Sequence, residues 1–191
     1  MYLNNLKEWV VNASTSEKAI QQFGYEKCFA VLPIQDYYWV EYEGNRPNDG
    51  PQIKKSDLMS VRSLVYCEHS MGHLKTGEMV CHKRIASDLL AIFRALYEAK
   101  YNVDTMMPVA TSNYQYLTED TNESNNTTFC FHFASEPLRD AHVKGLAVVL
   151  NPNTPPVAGD LAVTLFKQHG FTWGGDSPDG KRYYFEKKLD I

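Results

Sequence analysis

The stretch AHVKGLAVVLNP, residues 141–152, places an apolar run between a histidine and an Asn-Pro pair. The run itself, LAVVL, is continuously aliphatic, which is typical of a short strand buried on both faces. Pro152 should end the run, because proline cannot donate to a sheet ladder and is confined to strand ends and edges. We therefore predict a buried strand at about 145–150, with His142 at its polar entrance.

Periodic patterns on both sides of this strand predict a mixture of helices and strands. The clearest helix spans about 84–100, where apolar residues fall on one face at spacings of three and four. These residues are Ile85, Leu89, Ile92, Phe93 and Leu96. A second helix is predicted near 158–168, ended by Gly170. Further strands are predicted at SVRSLVYC, EMVCH, NVDTMMPVA, 129–133 and KRYYFEKK. Without a regular βαβ alternation, this order predicts an α+β fold with a largely antiparallel sheet flanked by helices.

The first 55 residues are predicted to form a small α/β appendage of unknown role. Ser14 followed by Glu17 matches a helix capping box, and Gly24 is suited to end that helix. KCFAVLP and DYYWVEYEG are rich in aromatic and β-branched residues, and both are predicted as strands. The turn-rich stretch GNRPNDGPQ then marks a boundary between residues 1–55 and a main domain of residues 56–191.

The composition is that of an ordinary globular protein, with 43% hydrophobic and 22% charged residues and a net charge of −4. Lysine and arginine are scattered, which argues against nucleic-acid binding. No apolar stretch reaches the length of about 20 residues that a membrane span needs. The first residues lack the basic region and apolar run of a signal peptide, which leaves three alternatives: a cytoplasmic chain, a signal upstream of this sequence, or export by another route. Four cysteines in apolar contexts, without a CxxC pair, are predicted to be buried free thiols.

Four separated stretches resemble one family of bacterial zinc peptidases. They are TGEMVCHKRIASDLLAIFRALYEAKYNVDTM, NNTTFCFHF, DAHVKGLAVVLNP and LFKQHGFTWGGDSPDGKRYYFEK. They are similar, in this order, to the segments that carry the main helix and the site motifs of VanY-like D-alanyl-D-alanine carboxypeptidases and L-alanyl-D-glutamate endopeptidases. The resemblance runs from about residue 60 to the C-terminus and implies the DD-peptidase-like fold.

The resemblance also implies a zinc site, which in this family is built from His, Asp and His beside an acidic general base. His142 falls on the first ligand and matches it, whereas Val149 falls on the ligand Asp. Tyr184 falls on the second ligand His, and a phenol is a rare zinc ligand. Lys181 replaces the catalytic acid and cannot accept a proton at pH 7. His132 replaces an arginine that anchors substrate, leaving a weaker, pH-dependent donor.

Residues expected to have structural roles match the family better than those expected to do chemistry. The matching positions are Gly145, Ala147, Asn151, Pro152, Trp173, Gly174, Gly175, Asp176, Phe185 and Glu186. The pattern predicts a pseudoenzyme with no cofactor and no catalytic residue. Its former cleft is predicted to contain His132, His142, Val149, Tyr184, Trp173 and Asp176. The resemblance implies a cell-envelope or secreted location and a peptidoglycan stem peptide, another cell-wall fragment or a protein as partner.

Two other functions remain open from the residues. An active peptidase could hold zinc with His142, His132 and Tyr184. Alternatively the chain is a structural or interaction module, whose aromatic run Tyr37, Tyr38, Trp39 and Tyr42 stacks on glycan or packs on a partner.

Two further constellations are weaker candidates for a site. His69, His73 and His82 could form a relocated metal site if they converge around the MGH turn. Cys130 and His132, two apart on a predicted strand, share a face and could act as a nucleophile and its base. No third orienting group is evident for that pair.

Overall fold

The computed structural model describes residues 16–45, 53–68, 74–108, 127–131 and 140–191. In these ranges the α-helices are α1 (Ser16–Phe23), α2 (Asp36–Asn45), α3 (Ala86–Glu98), α4 (Asp140–Val143) and α5 (Leu161–Gln168). The strands are β1 (Ala30–Pro33), β2 (Leu58–Tyr66), β3 (Leu74–His82), β4 (Thr105–Met106), β5 (Thr127–Thr128), β6 (Ala147–Val149), β7 (Thr172–Trp173) and β8 (Tyr184–Glu186). Short 3₁₀ helices occupy Tyr25–Cys28, Lys55–Asp57 and Gly174–Asp176. The prediction of an α+β fold is confirmed.

The first sheet has the order β1-β2-β3 and is antiparallel throughout. Helix α3 packs on it through the apolar stripe that the sequence indicates, and Leu89, Ile92 and Phe93 are at most 1% exposed. The predicted strands SVRSLVYC and EMVCH lie within β2 and β3, so both are confirmed. Burying these aliphatic and aromatic side chains supplies a large part of the folding free energy, at about 1.5–3 kcal/mol for each.

The second antiparallel sheet has the order β6-β8-β7, and helix α5 packs beside it. Phe166 of α5 stacks on Phe185 of β8 with ring centroids 4.1 Å apart. Phe166 also meets Phe93 of α3 edge to face at 6.2 Å, which joins the two sheets into one hydrophobic core. Strands β4 and β5 form a separate parallel pair, so pairing is antiparallel in the two larger sheets of the described chain.

The stretch DYYWVEYEG was predicted as a strand, and that prediction is wrong because it forms helix α2. In a strand, Tyr38, Val40 and Tyr42 would share one face. Instead Tyr38 and Tyr42 are 6% and 3% exposed, whereas Val40 is 66% exposed. That separation is the four-residue spacing of a helix face, and packing of the two tyrosines outweighs the preference of aromatic residues for strands.

The predicted N-terminal appendage contributes a strand to the first sheet, which belongs otherwise to the predicted main domain. Strand β1 pairs with β2 across the boundary predicted at residue 55, with Ala30 opposite Arg62 and Pro33 opposite Met59. Arg94 of α3 also binds Glu26 through two nitrogen–oxygen contacts of 2.9 and 3.0 Å. The division into residues 1–55 and 56–191 stays a prediction about folding units, but one hydrogen-bonded sheet crosses it.

Several element boundaries differ from the prediction. In the described part of NVDTMMPVA the strand is Thr105–Met106, and Gly174–Asp176 form a 3₁₀ helix. Of the strand expected at 129–133, residues 129–131 are described; there Phe129 forms a bridge with Val149, directly after the strand Thr127–Thr128. Gly24 ends α1 with φ of +82°, as predicted, whereas Ser14 lies outside the described residues. No helix in the part of the chain described is long and apolar enough to cross a membrane.

Candidate functional site

His142 lies in the one-turn helix α4, immediately before strand β6. Its side chain is 2% exposed, and its Nδ1 lies 2.7 Å from the carbonyl oxygen of Cys130. Since a carbonyl only accepts, Nδ1 carries the proton in this contact, and Nε2 is the nitrogen that a neutral ring leaves for other partners. This orientation is the one that metal-binding histidines usually adopt, with one ring nitrogen bound to a backbone carbonyl.

Gly145 makes the bend between His142 and strand β6. Its φ is +70°, and a Cβ atom there would lie 2.6 Å from the backbone nitrogen of His82. Its carbonyl oxygen accepts hydrogen bonds from the His82 backbone N–H at 2.9 Å and from the Cys130 thiol at 3.2 Å. A glycine is therefore required at this position for two reasons, the positive φ angle and the close approach of the backbone to β3.

Val149 and Tyr184 lie opposite each other on the antiparallel strands β6 and β8. Val149 also forms a bridge with Phe129, with two backbone hydrogen bonds of 2.8 and 3.0 Å. The His142 ring contacts the Phe129 ring at 5.4 Å and the Tyr184 ring at 5.5 Å between centroids. The structure thus brings together the three positions that the resemblance assigns to zinc ligands. We call Phe129, His142, Val149 and Tyr184 the His142 cluster.

The His142 cluster is apolar and closed. Val149 is 7% exposed and Tyr184 is 6% exposed, although a shallow cleft was expected at these residues. The Tyr184 hydroxyl donates to Glu186 Oε2 at 3.0 Å, so its polar end is directed to a carboxylate on the same strand. A role of these side chains in ligand binding stays a prediction.

The other predicted residues that the structure describes are Lys181, Trp173 and Asp176, and their side chains contact residues outside the His142 cluster. Lys181 is exposed, and its Nζ is 5.7 Å from the ring centroid of Tyr183. Trp173 donates from Nε1 to the carbonyl of Arg182 at 2.6 Å, which fixes its buried ring. Asp176 forms an exposed ion pair with Lys167 at 2.7 Å.

The residues of the cluster do not fit a zinc ion. A catalytic zinc site needs three protein ligands and an open coordination position. Val149 has no donor atom, the Tyr184 hydroxyl is bound to Glu186, and the three side chains are buried together. Among the residues that the structure describes, no group of three or more His, Cys, Asp or Glu side chains is arranged to hold a metal ion.

The other candidate residues fall into two groups. His132, His69 and His73 lie outside the described residues, so their proposed sites are not tested. Cys130 is fully buried, and burial raises the pKa of its thiol well above the usual range, which disfavours a nucleophilic thiolate. His82 is 4% exposed and accepts a hydrogen bond from the backbone of Arg84, while burial lowers its pKa. All four cysteines are buried free thiols, as predicted.

Sequence reasoning missed a charged cluster formed by Asp88, His169 and Lys187. Asp88 accepts from His169 Nδ1 at 3.1 Å and from Lys187 Nζ at 2.8 Å. Lys187 also donates to the His169 carbonyl at 2.7 Å. The cluster joins the first turn of α3, the end of α5 and the segment after β8. Its members are far apart in sequence, so only the acidic residue in a first helix turn could have hinted at it.

Comparison of the chain with protein-family models, with curated proteins and with solved structures found no match.

Proposed function

We propose that this chain is a non-catalytic relative of the peptidoglycan D-alanyl-D-alanine carboxypeptidases and L-alanyl-D-glutamate endopeptidases, and that it acts by binding. The observation that carries the proposal is the arrangement of His142, Val149 and Tyr184. The His142 ring contacts Tyr184, and Tyr184 pairs with Val149 in register. Residues 42 positions apart meet at one point, as the family resemblance requires, yet only one of them is a usual zinc ligand.

The orientation of His142 supports descent from a metal site. In a metal site the ligating histidine is held by a hydrogen bond from its other nitrogen. The short Nδ1 contact to the Cys130 carbonyl and the bend at Gly145 match that requirement, and the same contact satisfies the N–H that any buried imidazole carries. The difference from a zinc site lies at the two other ligand positions, Val149 on β6 and Tyr184 on β8.

Two requirements of zinc-dependent hydrolysis are not met by the residues at these positions. A zinc peptidase needs a bound water whose pKa the metal lowers, and a base that takes its proton. Val149 and Tyr184 occupy the positions of two of the three zinc ligands, so the coordination sphere is incomplete. Lys181 is a cation at the position of the base. The proposed partner is a stem peptide or another cell-wall fragment, or a protein, in the cell envelope or outside the cell.

Metal analysis combined with a hydrolysis assay tests the proposal. Protein purified without chelator is analysed for zinc by inductively coupled plasma spectrometry. It is then assayed against D-Ala-D-Ala and L-Ala-D-Glu peptides at neutral pH with and without added zinc. We expect less than stoichiometric zinc and no hydrolysis.

A matched variant separates true activity from contamination. His142→Gln removes the only usual zinc ligand of the cluster, so activity that persists in this variant does not come from the His142 cluster. Stoichiometric zinc together with chelator-sensitive cleavage that His142→Gln abolishes would overturn the proposal and favour an active peptidase.

A further inference from the structure

A groove lies at the end of the first sheet, where β1 leads into α2 and the Lys55–Asp57 3₁₀ helix leads into β2. Its volume is about 720 Å³, within the range of small-ligand sites. The lining residues are Pro33, Ile34, Gln35, Asp36, Lys54, Lys55, Ser56, Leu58 and Met59. None of them belongs to the His142 cluster.

The apolar part of the groove is formed by the strand ends. Ile34 and Leu58 are 5% and 1% exposed and belong to the core cluster that includes Tyr38 and Tyr42 of α2. Met59 is half-buried beside them. This wall is therefore fixed by the core and is suited to receive one aliphatic side chain.

Gln35 contributes a buried polar atom without a partner. Its Oε1 has no hydrogen bond to any residue that the structure describes, although the atom is inaccessible to solvent. A buried carbonyl oxygen left in this state lowers the stability of the fold, which is why most such atoms are paired. Because the rest of the Gln35 side chain is partly exposed, a rotation of its amide can turn this atom to the groove, where an N–H or O–H donor of a ligand would pair with it.

The charged residues of the groove leave one cation in excess. Lys55 is paired with Asp36, whereas Lys54 is exposed and forms no ion pair within the described ranges. Two lysines and one aspartate leave a net charge of +1 at neutral pH, which complements a single carboxylate rather than a phosphate cluster.

We infer that this groove binds the carboxyl-terminal end of a peptide. The terminal carboxylate pairs with Lys54, a backbone N–H donates to Gln35 Oε1, and an aliphatic side chain packs on Ile34 and Leu58. The inference goes beyond the proposed function and does not depend on it, since the His142 cluster takes no part.

Binding of N-acetyl-alanyl-leucine to the full chain, compared with the amide of the same peptide, tests the inference. We expect amide resonances of residues 34–36 and 54–59 to shift in ¹⁵N–¹H spectra, with a Kd of about 1 mM or tighter. The acid should bind at least about fivefold more tightly than the amide, because only the acid carries the charge that Lys54 neutralises.

Two variants separate a binding role from a structural one. Gln35→Leu should weaken binding about fivefold to tenfold, yet raise the melting temperature of the ligand-free protein by about 2 °C, because it removes an unpaired buried oxygen. Lys54→Met should weaken binding of the acid by about threefold to tenfold without altering binding of the amide. Gln168→Leu and Lys188→Met, exposed positions outside the groove, serve as controls and should change neither quantity.

Any of three results would overturn the inference. These are no binding at 10-fold the expected Kd, equal affinity for acid and amide, or a lower melting temperature for Gln35→Leu with unchanged binding. Zinc content and hydrolysis do not enter these measurements, so failure here leaves the proposed function untouched.

Discussion

Two histidines near the second sheet illustrate opposite ways of holding an imidazole. His142 is 2% exposed between the rings of Phe129 and Tyr184, with a backbone carbonyl on Nδ1. His169 is 30% exposed and faces the carboxylate of Asp88, which Lys187 also binds. The first environment offers the ring a neutral backbone acceptor among aromatic side chains, whereas the second places a carboxylate oxygen 3.1 Å from the ring nitrogen.

The difference between these two environments predicts where substitutions should be tolerated. A buried apolar cluster responds strongly to an added charge, because the charge loses its hydration without gaining a partner. A half-exposed charged cluster loses little when one member becomes neutral, because water and the remaining ions compensate.

The largest effect is expected for a carboxylate placed in the His142 cluster. Val149→Asp should lower the free energy of unfolding by about 3 kcal/mol or more, since an unpaired charge would be buried in place of a packed side chain. Adding Tyr184→His should create three ligands with His142, so zinc should then raise the melting temperature of the double variant but not of the wild type.

Hydrolysis provides the second stage of that experiment. The double variant should remain a poor catalyst with zinc, because Lys181 cannot accept a proton. Adding Lys181→Glu should bring measurable cleavage of D-Ala-D-Ala or L-Ala-D-Glu peptides. If zinc neither binds nor stabilises the double variant, the residue-by-residue alignment with the zinc ligands is wrong.

The next largest effect is expected at the bend that positions His142. Gly145→Ala should lower the free energy of unfolding by about 2–4 kcal/mol, from the left-handed backbone and the clash with the His82 nitrogen. Gly159→Ala is the matched control, because Gly159 also has positive φ, at +89°, but no atom within 4 Å of the added Cβ. Chemical denaturation of both variants checks this, and equal losses would show that backbone strain alone matters.

A smaller effect is expected in the charged cluster. Burial raises the pKa of Asp88, but hydrogen bonds and charge interactions with Lys187 and His169 outweigh it and hold the pKa below its usual value. The associated stability is therefore present above the pKa of an unfolded aspartate, about 4, and is lost as the pH falls through the lower folded value.

Asp88→Asn should accordingly destabilise the protein by about 1 kcal/mol at pH 7. At very low pH, where Asp88 is itself protonated, wild type and variant should be equally stable. Denaturation curves at pH 7 and below pH 3 for wild type and variant measure this. A difference that stays constant across that range would show that the carboxylate charge is not involved.

The smallest effect is expected for the exposed pair of Lys167 and Asp176, whose side chains are 44% and 55% exposed. Asp176→Asn should change the free energy of unfolding by less than about 0.5 kcal/mol, because exposed ion pairs contribute little. A loss above about 1 kcal/mol would give Asp176 a role inside the Gly174–Asp176 3₁₀ helix that its ion pair does not explain.

How much of the structure can be predicted from the sequence depends on whether the signal lies in neighbouring residues. Helix α3 was predictable because its apolar stripe repeats every three or four residues, whereas the close approach of Gly145 to β3 depends on tertiary packing and was not. Helix α2 was not, since Tyr38 and Tyr42 read as strand residues until their packing on the sheet is known. The Asp88–His169–Lys187 cluster and the unpaired Oε1 of Gln35 arise from tertiary proximity, which no spacing in the chain announces.

The core shared between the two sheets has a consequence for synthesis. Strands β2 and β3 and helix α3 are complete once Glu98 has left the ribosome, but Phe166 and Phe185, which close the core, come up to 87 residues later. At about 5–20 residues per second this delay lasts roughly 4–17 s. During that interval the core is not closed, and until Phe166 emerges the apolar side of α3 that it covers is accessible to chaperones and to other nascent chains.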